Sequence, residues 1–222
     1  MNPALMQSIN AALHSHHHFQ STAHLVAIQA ANQNQRNAAL FATANQPGGI
    51  PNLVLQAVVE FGDKNADGRT ILALAPAWFE ILSLLEKDPS LAFQIPHWKW
   101  EEIIAGSYER RGFKVTLTPR SGDLGRDVVA EKSGWGCVRF IDQVKAYKPG
   151  RVVTADEVRS LLGVLQADHG TNKGVVTTTS GFAPKIEEDR FIKPFLPTRL
   201  ELVNGAELHA RLMELAKAPA TW

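Results

Sequence analysis

Three short strand patterns between Phe113 and Lys145 constrain this chain more than any other feature. Phe113 to Thr118, Asp127 to Glu131 and Cys137 to Lys145 are rich in β-branched and apolar residues, and Ser121-Gly-Asp-Leu-Gly125 and Ser133-Gly-Trp-Gly136 divide them. Gaps that short are closed by hairpins. A helical pattern precedes them. Trp100 to Arg111 carries Ile103, Ile104 and Tyr108 on one face and stops at Gly112, a good residue for a helix C-terminus. Another follows: Thr154 can cap a helix to about Ala167, with Glu157 at the capping-box position and Val158, Leu161, Leu162 and Leu165 as the buried stripe. A strand fits Gly174 to Thr178, then a short helix near Pro184 to Arg190, a strand from Arg199 to Val203, and a last helix from Ala206 to Ala216. The order is αβββαβ, then αβα, which makes this part an α/β domain with a mixed sheet.

The preceding part reads differently. Residues 1–95 hold four basic and six acidic groups, while the remainder holds 19 basic and 16 acidic ones. The charge step suggests a boundary near residue 95, with domains 1–95 and 96–222. The first 46 residues are rich in Ala, Gln, Asn and His, with Leu5, Ile9, Leu13, Leu25 and Ile28 at helical spacing, and Gln46-Pro-Gly-Gly-Ile-Pro51 reads as a linker. Helices are expected from Leu53 to Phe61 and around Pro76 to Glu86, with a turn at Asp63 to Gly68 between them. The expectation is an all-helical N-terminal module, too poor in positive charge to read DNA electrostatically and suited to homodimerisation or to binding a partner protein. His14, His16, His17 and His18 lack a nearby Cys or carboxylate to complete a tetrahedral metal site and read as a polar helical face.

The net charge of +1 supplies no global pull toward nucleic acid, so any DNA reading must rest on local arrangement. No run of about 18 apolar residues is present, because Pro76 and Glu80 interrupt the densest stretch, so no membrane partner is expected. A single cysteine, Cys137, which reads as a small packing residue, and the lack of a secretory leader pattern point to the cytoplasm.

Asp127 begins one strand, and Gln143 and Lys145 lie two apart near the end of the next. Period-two geometry puts Gln143 and Lys145 on one face, about 6.6 Å apart. A carboxylate there can hold a hard cation such as Mg²⁺, which shares its shell with waters and phosphate oxygens. A lysine beside it can orient the attacking water and stabilise charge developing on phosphate. The set fits phosphodiester hydrolysis. Each residue alone has an ordinary explanation: Asp127 as a loop-edge acid pairing with Arg126 or Arg139, Lys145 as a solvated strand end, Gln143 as a surface amide. Arg126, Lys148, Arg151 and Lys173 are candidates for phosphate contacts at the mouth of the site, with surface solubility as the alternative.

Trp100-Glu-Glu-Ile-Ile with Gly112-Phe-Lys-Val, Ser121-Gly-Asp-Leu-Gly-Arg-Asp127, Gln143-Val-Lys145, Leu161-Leu-Gly163 and Gly174-Val-Val-Thr-Thr-Thr-Ser180 together resemble the Mrr-type restriction endonuclease domain, part of the PD-(D/E)xK nuclease superfamily. The resemblance runs from about Pro96 to Met213 and implies a restriction-endonuclease-like fold. It further implies that Asp127 binds metal, that Lys145 is the catalytic lysine, and that Gln143 replaces the acid found in most of the superfamily. The Val144 carbonyl matches a backbone metal ligand and Glu101 matches the helical glutamate turned toward the metal, although Glu101 also reads as a first-turn acid favoured by the helix dipole. Glu102, about 100 degrees further round the helix, points elsewhere. An amide at Gln143 brings no charge for a second ion, so the resemblance implies one Mg²⁺, with Mn²⁺ as a substitute. The function implied is a DNA endonuclease of restriction or defence. Two alternatives stand beside it: a catalytically silent nucleic-acid-binding or interaction protein with a nuclease fold, and a structure-specific repair nuclease. No Gly-x-x-x-x-Gly-Lys-Ser/Thr loop occurs, so any ATP dependence belongs to a partner.

Overall fold

A computed structural model describes residues 53–119 and 125–217. The helices expected before residue 46, the linker at 46–51, the histidines at 14–18 and the turn residue Asp123 lie outside the described residues.

The described chain opens with a hairpin where a helix was expected. After a helical turn at Leu53–Val54, β1 (Val59–Lys64) pairs antiparallel with β2 (Arg69–Leu74). Over so short a run, Val58, Val59 and Phe61 suit a helical and a strand period equally, and the turn decides. Asn65 Oδ1 accepts hydrogen bonds from Asp67 N and Gly68 N, both at 2.9 Å, and Asn65 N donates to Gly68 O at 2.8 Å. Gly68 is required there, since a Cβ would fall 2.0 Å from the Leu117 carbonyl oxygen.

Next come α1 (Pro76–Lys87), a 3-10 segment (Pro89–Gln94) and α2 (His97–Arg110), which ends at Gly112 with φ +77°. Strands β3 (Lys114–Leu117), β4 (Val128–Ser133) and β5 (Cys137–Lys145) form the expected antiparallel series. The two-residue β6 (Val152–Val153) precedes α3 (Ala155–Ala167), whose Thr154/Glu157 capping box is present. Then follow β7 (Lys173–Thr178), the short β8 (Gly181–Phe182), β9 (Leu200–Val203) and α4 (Gly205–Lys217). Instead of a helix near Pro184 to Arg190 there are two 3-10 turns, Ile186–Glu188 and Lys193–Phe195; Asp189 Oδ1 stops the first by accepting from Phe191 N and Ile192 N.

Among the described residues, seven strands form one sheet in the order β1-β2-β3-β4-β5-β7-β9, antiparallel from β1 to β5 and parallel from β5 to β9. Alternate residues of β5 serve its two faces. Ile141 joins Val129, Val176, Val158, Leu161 and Leu165 under α3, while Phe140 and Asp142 face Ile104 and Tyr108 of α2 and Leu208 and Leu212 of α4.

This topology corrects the boundary expected near residue 95. Arg69 pairs with Leu117 and Thr70 with Thr116, so β1 and β2 extend the nuclease-like sheet and residues 53–95 are not an all-helical module. A step in charge records a change of surface and says nothing about which strands share a ladder. Cys137, expected as a packing residue, is exposed. Among the described residues, no helix is long and apolar enough to cross a membrane.

Helix α1 is bound into the same core. Trp78 is fully buried, its Nε1 donates to the Ile103 carbonyl at 3.0 Å, and it lies against Gly106 of α2. A Cβ on Gly106 would fall 2.5 Å from Trp78 Nε1 and 2.7 Å from Leu74 Cδ2. Gly106→Ala is therefore expected to destabilise the domain by about 1–3 kcal/mol, despite the better helix propensity of alanine. Urea denaturation checks this, and an unchanged midpoint would show that α1 does not press on α2.

Candidate active site

The register of two strands builds the site. Val128 pairs with Asp142, which sets Asp127 one step past the last pair, level with Gln143. Asp127 is 9% exposed, and its Oδ2 accepts from the Val144 amide at 2.6 Å. Its own amide donates to the Asp142 carbonyl at 3.0 Å, and its carbonyl accepts from Thr118 N at 3.1 Å. The carboxylate is thus aimed across the sheet at β5. Arg126 and Arg139, the ordinary partners expected for it, are ion-paired elsewhere: Arg126 with Asp67 and Asp168, Arg139 with Glu131, Asp67 and Asp168.

Gln143 is buried, and its Oε1 has no hydrogen-bond partner among the described residues. Its Nε2 lies 3.1 Å from where a Cβ would stand on Gly125, whose φ of +76° also demands glycine. Lys145 is half-buried at the strand end, with its carbonyl held by Thr178 Oγ1 at 2.7 Å and Thr179 N at 3.3 Å. Its ammonium forms no ion pair with a described residue. Glu157 feels that charge but is already engaged by the Thr154 amide and hydroxyl and by the Tyr147 hydroxyl. Burial pushes the Glu157 carboxyl up; those hydrogen bonds and the Lys145 charge outweigh it and hold the carboxyl below its usual range.

Helix α2 contributes from the other side. Glu102 turns away and binds the buried Lys99 ammonium at 2.6 Å, whereas Glu101 Oε1 meets His97 Nδ1 at 2.8 Å. His97 Nε2 stands 2.9 Å from the Val144 carbonyl oxygen. Both neighbours are acceptors, so the ring donates to both only when doubly protonated. The Glu101 hydrogen bond raises the His97 pKa, burial opposes it, and the Val144 carbonyl and the charges of Glu101 and Asp127 add to the rise. Sequence reasoning passed over His97. Its i, i+4 spacing to Glu101 was the available signal.

The residues here offer a carboxylate oxygen from Asp127, the Val144 carbonyl and the Gln143 amide oxygen, which has no partner among the described residues, with Glu101 one imidazole away. That all-oxygen set suits a hard divalent cation. Among the described residues, no three His, Cys, Asp or Glu side chains form a ready metal cluster, so the main chain and the amide would have to share the coordination.

The structure sorts the expected phosphate contacts. Lys148 and Arg151 are exposed on the turn that follows Lys145, with the Arg151 guanidinium 3.8 Å from the centre of the Tyr147 ring. Arg126 is committed to Asp67 and Asp168, each at 3.4 Å. Lys173 pairs with Glu201 at 2.6 Å and sits opposite Phe140, five residues along β5 from Lys145, so it is not at the mouth of the site. Nothing in the sequence showed that β7 runs parallel to β5 and carries Lys173 to the far end.

A family model described as a restriction endonuclease, Mrr_cat, matches residues 94–212, more than half of the chain. The chain belongs to the Mrr-type restriction endonuclease family. The Mrr-type match spans α2 through most of α4 and leaves β1, β2 and α1 outside it. Over 103 residues the chain is 29% identical to an uncharacterised protein, y4cE, of Sinorhizobium fredii, covering 45% of this chain and 25% of that one. The chain thus spans about a quarter of that relative's length. Among solved structures it is similar to the MspJI restriction endonuclease in complex with a 27-mer oligonucleotide (TM-score 0.40, 19% identity, 63% of this chain and 31% of the other). It is also similar to the DNA modification-dependent restriction endonuclease AspBHI (TM-score 0.38, 17% identity, 64% and 36%).

On the opposite face of β5, Asp142 accepts from the Tyr108 hydroxyl at 3.0 Å and Thr177 Oγ1 at 2.9 Å, while its Oδ1 is buried without a partner among the described residues. Burial raises its pKa from the ordinary 3.8 to about 7, against the pull of those two hydrogen bonds. The unfolded chain releases this proton near pH 4 and the folded chain near pH 7. Between those values the folded state binds more protons, so stability falls as pH rises. Asp142→Asn is expected to flatten that fall in urea midpoints taken from pH 4 to 7 in EDTA; an unaltered slope would place the effect on another group. For His97, an NMR titration of the metal-free protein should give a pKa above the ordinary 6.5 that drops in Glu101→Gln. Equal values in the two proteins would remove Glu101 as the cause.

Proposed function

We propose that the chain is a Mg²⁺-dependent DNA endonuclease, acting in the cytoplasm in restriction or defence against foreign DNA. The observation that carries the reading is the joint placement of Asp127, Gln143 and Lys145. An aimed carboxylate, a buried amide oxygen with no partner among the described residues and an ammonium without an ion pair there meet at adjacent strand ends. A buried acceptor left unsatisfied is costly in a purely structural role. Membership of the Mrr-type family supports reading the polar set as a nuclease site.

Asp127, the Val144 carbonyl and Glu101 would hold the ion. When bound, it supplies a Lewis acid for the phosphate and lowers the pKa of a water. Lys145 donates hydrogen bonds to the attacking water and to the phosphate oxygens that gain charge as the P–O bond breaks. Gln143 Oε1 accepts a hydrogen bond from that water and so fixes its orientation. Glu101 and His97 move together, because the hydrogen bond between them must rearrange if Glu101 is to face the ion. Lys148 and Arg151 meet the DNA backbone at the mouth. The N-terminal part of the chain would mediate homodimerisation or contact with a partner protein.

Plasmid cleavage with Mg²⁺, Mn²⁺ or EDTA tests the reading. Asp127→Asn is the informative variant, because its amide oxygen still accepts from Val144 N while the charge is lost. Asp127→Ala would in addition strand that buried amide, a cost of about 1–3 kcal/mol. Asp127→Asn and Lys145→Ala should each lower cleavage at least about a hundredfold, with the thermal midpoint of Asp127→Asn near wild type. A fully active Lys145→Ala would sink the assignment. Linear product formed without accumulation of nicked circle would support paired active sites in a dimer; persistent nicking would argue for a single one.

A further inference from the structure

The β1–β2 hairpin lies outside the family match yet reaches the candidate active site. A cavity of about 390 Å³ lies between this hairpin and the first turn of α2, walled by Phe61, Lys64, Arg69, Trp98, Glu101 and Leu117. It shares Glu101 with the candidate metal position. Its lining also includes Thr118, whose amide donates to the Asp127 carbonyl at 3.1 Å. Anything held there would lie beside the candidate active site.

Two cations stand on its rim. Lys64 and Arg69 are direct partners across the antiparallel ladder, so both side chains project from the same face. Both are exposed, and neither forms an ion pair with a described residue. By contrast Arg126, Arg139, Arg159 and Arg211 are each paired with at least two carboxylates. Like charges directly opposite one another destabilise a hairpin. Arg69 is steered further by the Phe61 ring, whose centre lies 5.0 Å from its guanidinium carbon. The two glutamates of the lining, Glu101 and Glu102, are paired with His97 and Lys99. A repelling pair of exposed cations on the rim of a mainly apolar cavity beside the site is complementary to a polyanion with flat apolar bases.

We propose that this cavity is a DNA subsite taking one nucleotide next to the scissile bond. Lys64 and Arg69 neutralise backbone phosphates, and Phe61 and Trp98 form the apolar wall against the sugar or base. The assignment rests on the nuclease reading and extends it to a hairpin outside the matched domain. Such contacts position the duplex and carry no sequence information.

The test uses the full chain with a fluorescent duplex in EDTA, following anisotropy over a range of salt concentrations. Lys64→Gln with Arg69→Gln should weaken binding about ten- to a hundredfold at low salt, uniformly across sequences, and reduce the slope of log K against log salt by about 2. Its thermal midpoint should equal or exceed wild type, because a repulsion has been removed. In Mg²⁺, KM should rise with kcat largely retained. Lys87→Gln with Lys193→Gln, two exposed lysines on other surfaces, is the control. Wild-type binding and slope in the hairpin variant would overturn the subsite while leaving the nuclease reading intact. An equal loss in the control would also overturn it, by showing only a diffuse charge effect. A wild-type chain that neither binds nor cuts duplex DNA would overturn both.

Discussion

The hydrogen bond from the Val144 amide to the Asp127 carboxylate, 2.6 Å long and buried, is the interaction on which this end of the molecule depends. Strand β4 begins at Val128, so past that point the β5 backbone has no ladder partner on this side. A side chain takes over where the main chain stops. That replacement holds the carboxylate against the sheet and keeps β4 and β5 in register to their ends, and His97 meets the carbonyl of the same residue, Val144, at 2.9 Å. A site assembled this way sits on paired strands and not on loops, which limits how far its oxygen atoms drift from one another.

Charge is organised around it in two ways. Arg126 and Arg139 bridge Asp67 in the β1–β2 turn, Asp168 at the end of α3 and, for Arg139, Glu131 on β4. This network ties the hairpin to the central sheet. Exposed ion pairs taken singly contribute little, whereas several partly buried ones sharing carboxylates restrain geometry. Lys64, Arg69, Lys148 and Arg151 remain exposed in two groups, one on the hairpin and one on the turn after Lys145. A net charge of +1 therefore hides a local arrangement in which four exposed cations near the site form no ion pair with a described residue.

His97 gives the site a proton-holding element. Its ring spans a carboxylate and a backbone carbonyl, and each contact favours the charged form. Asp142, one residue from Gln143 on the reverse face, is driven the opposite way by burial, toward its neutral form. The two faces of β5 thus meet the same strand with opposite electrostatic demands: a polar, partly solvated face at Gln143 and Lys145, and a closed one under α2 and α4.

Much of the nuclease-like core was legible because its signals are local. Three strand runs, the capping box at Thr154 and Glu157, and the glycine after α2 each depend on residues within a few positions of one another, and each appears as read. That Asp127 and the Gln143/Lys145 pair lie on neighbouring strands was legible for the same reason, whereas the register that sets Asp127 level with Gln143 came from the structure. The β1–β2 hairpin was misread because Val58, Val59 and Phe61 fit either period, and only Asn65 and Gly68 closing against Leu117 select the strand. What tertiary structure alone decided is pairing at a distance: which end of β7 carries Lys173, which carboxylates occupy Arg126, that His97 reaches the Val144 carbonyl, and that β1 and β2 join a sheet whose centre lies far along the chain. Local hydrogen bonding and side-chain period are written residue by residue in a sequence, whereas the partners of a charge or a strand edge depend on where the backbone returns, which no short stretch encodes.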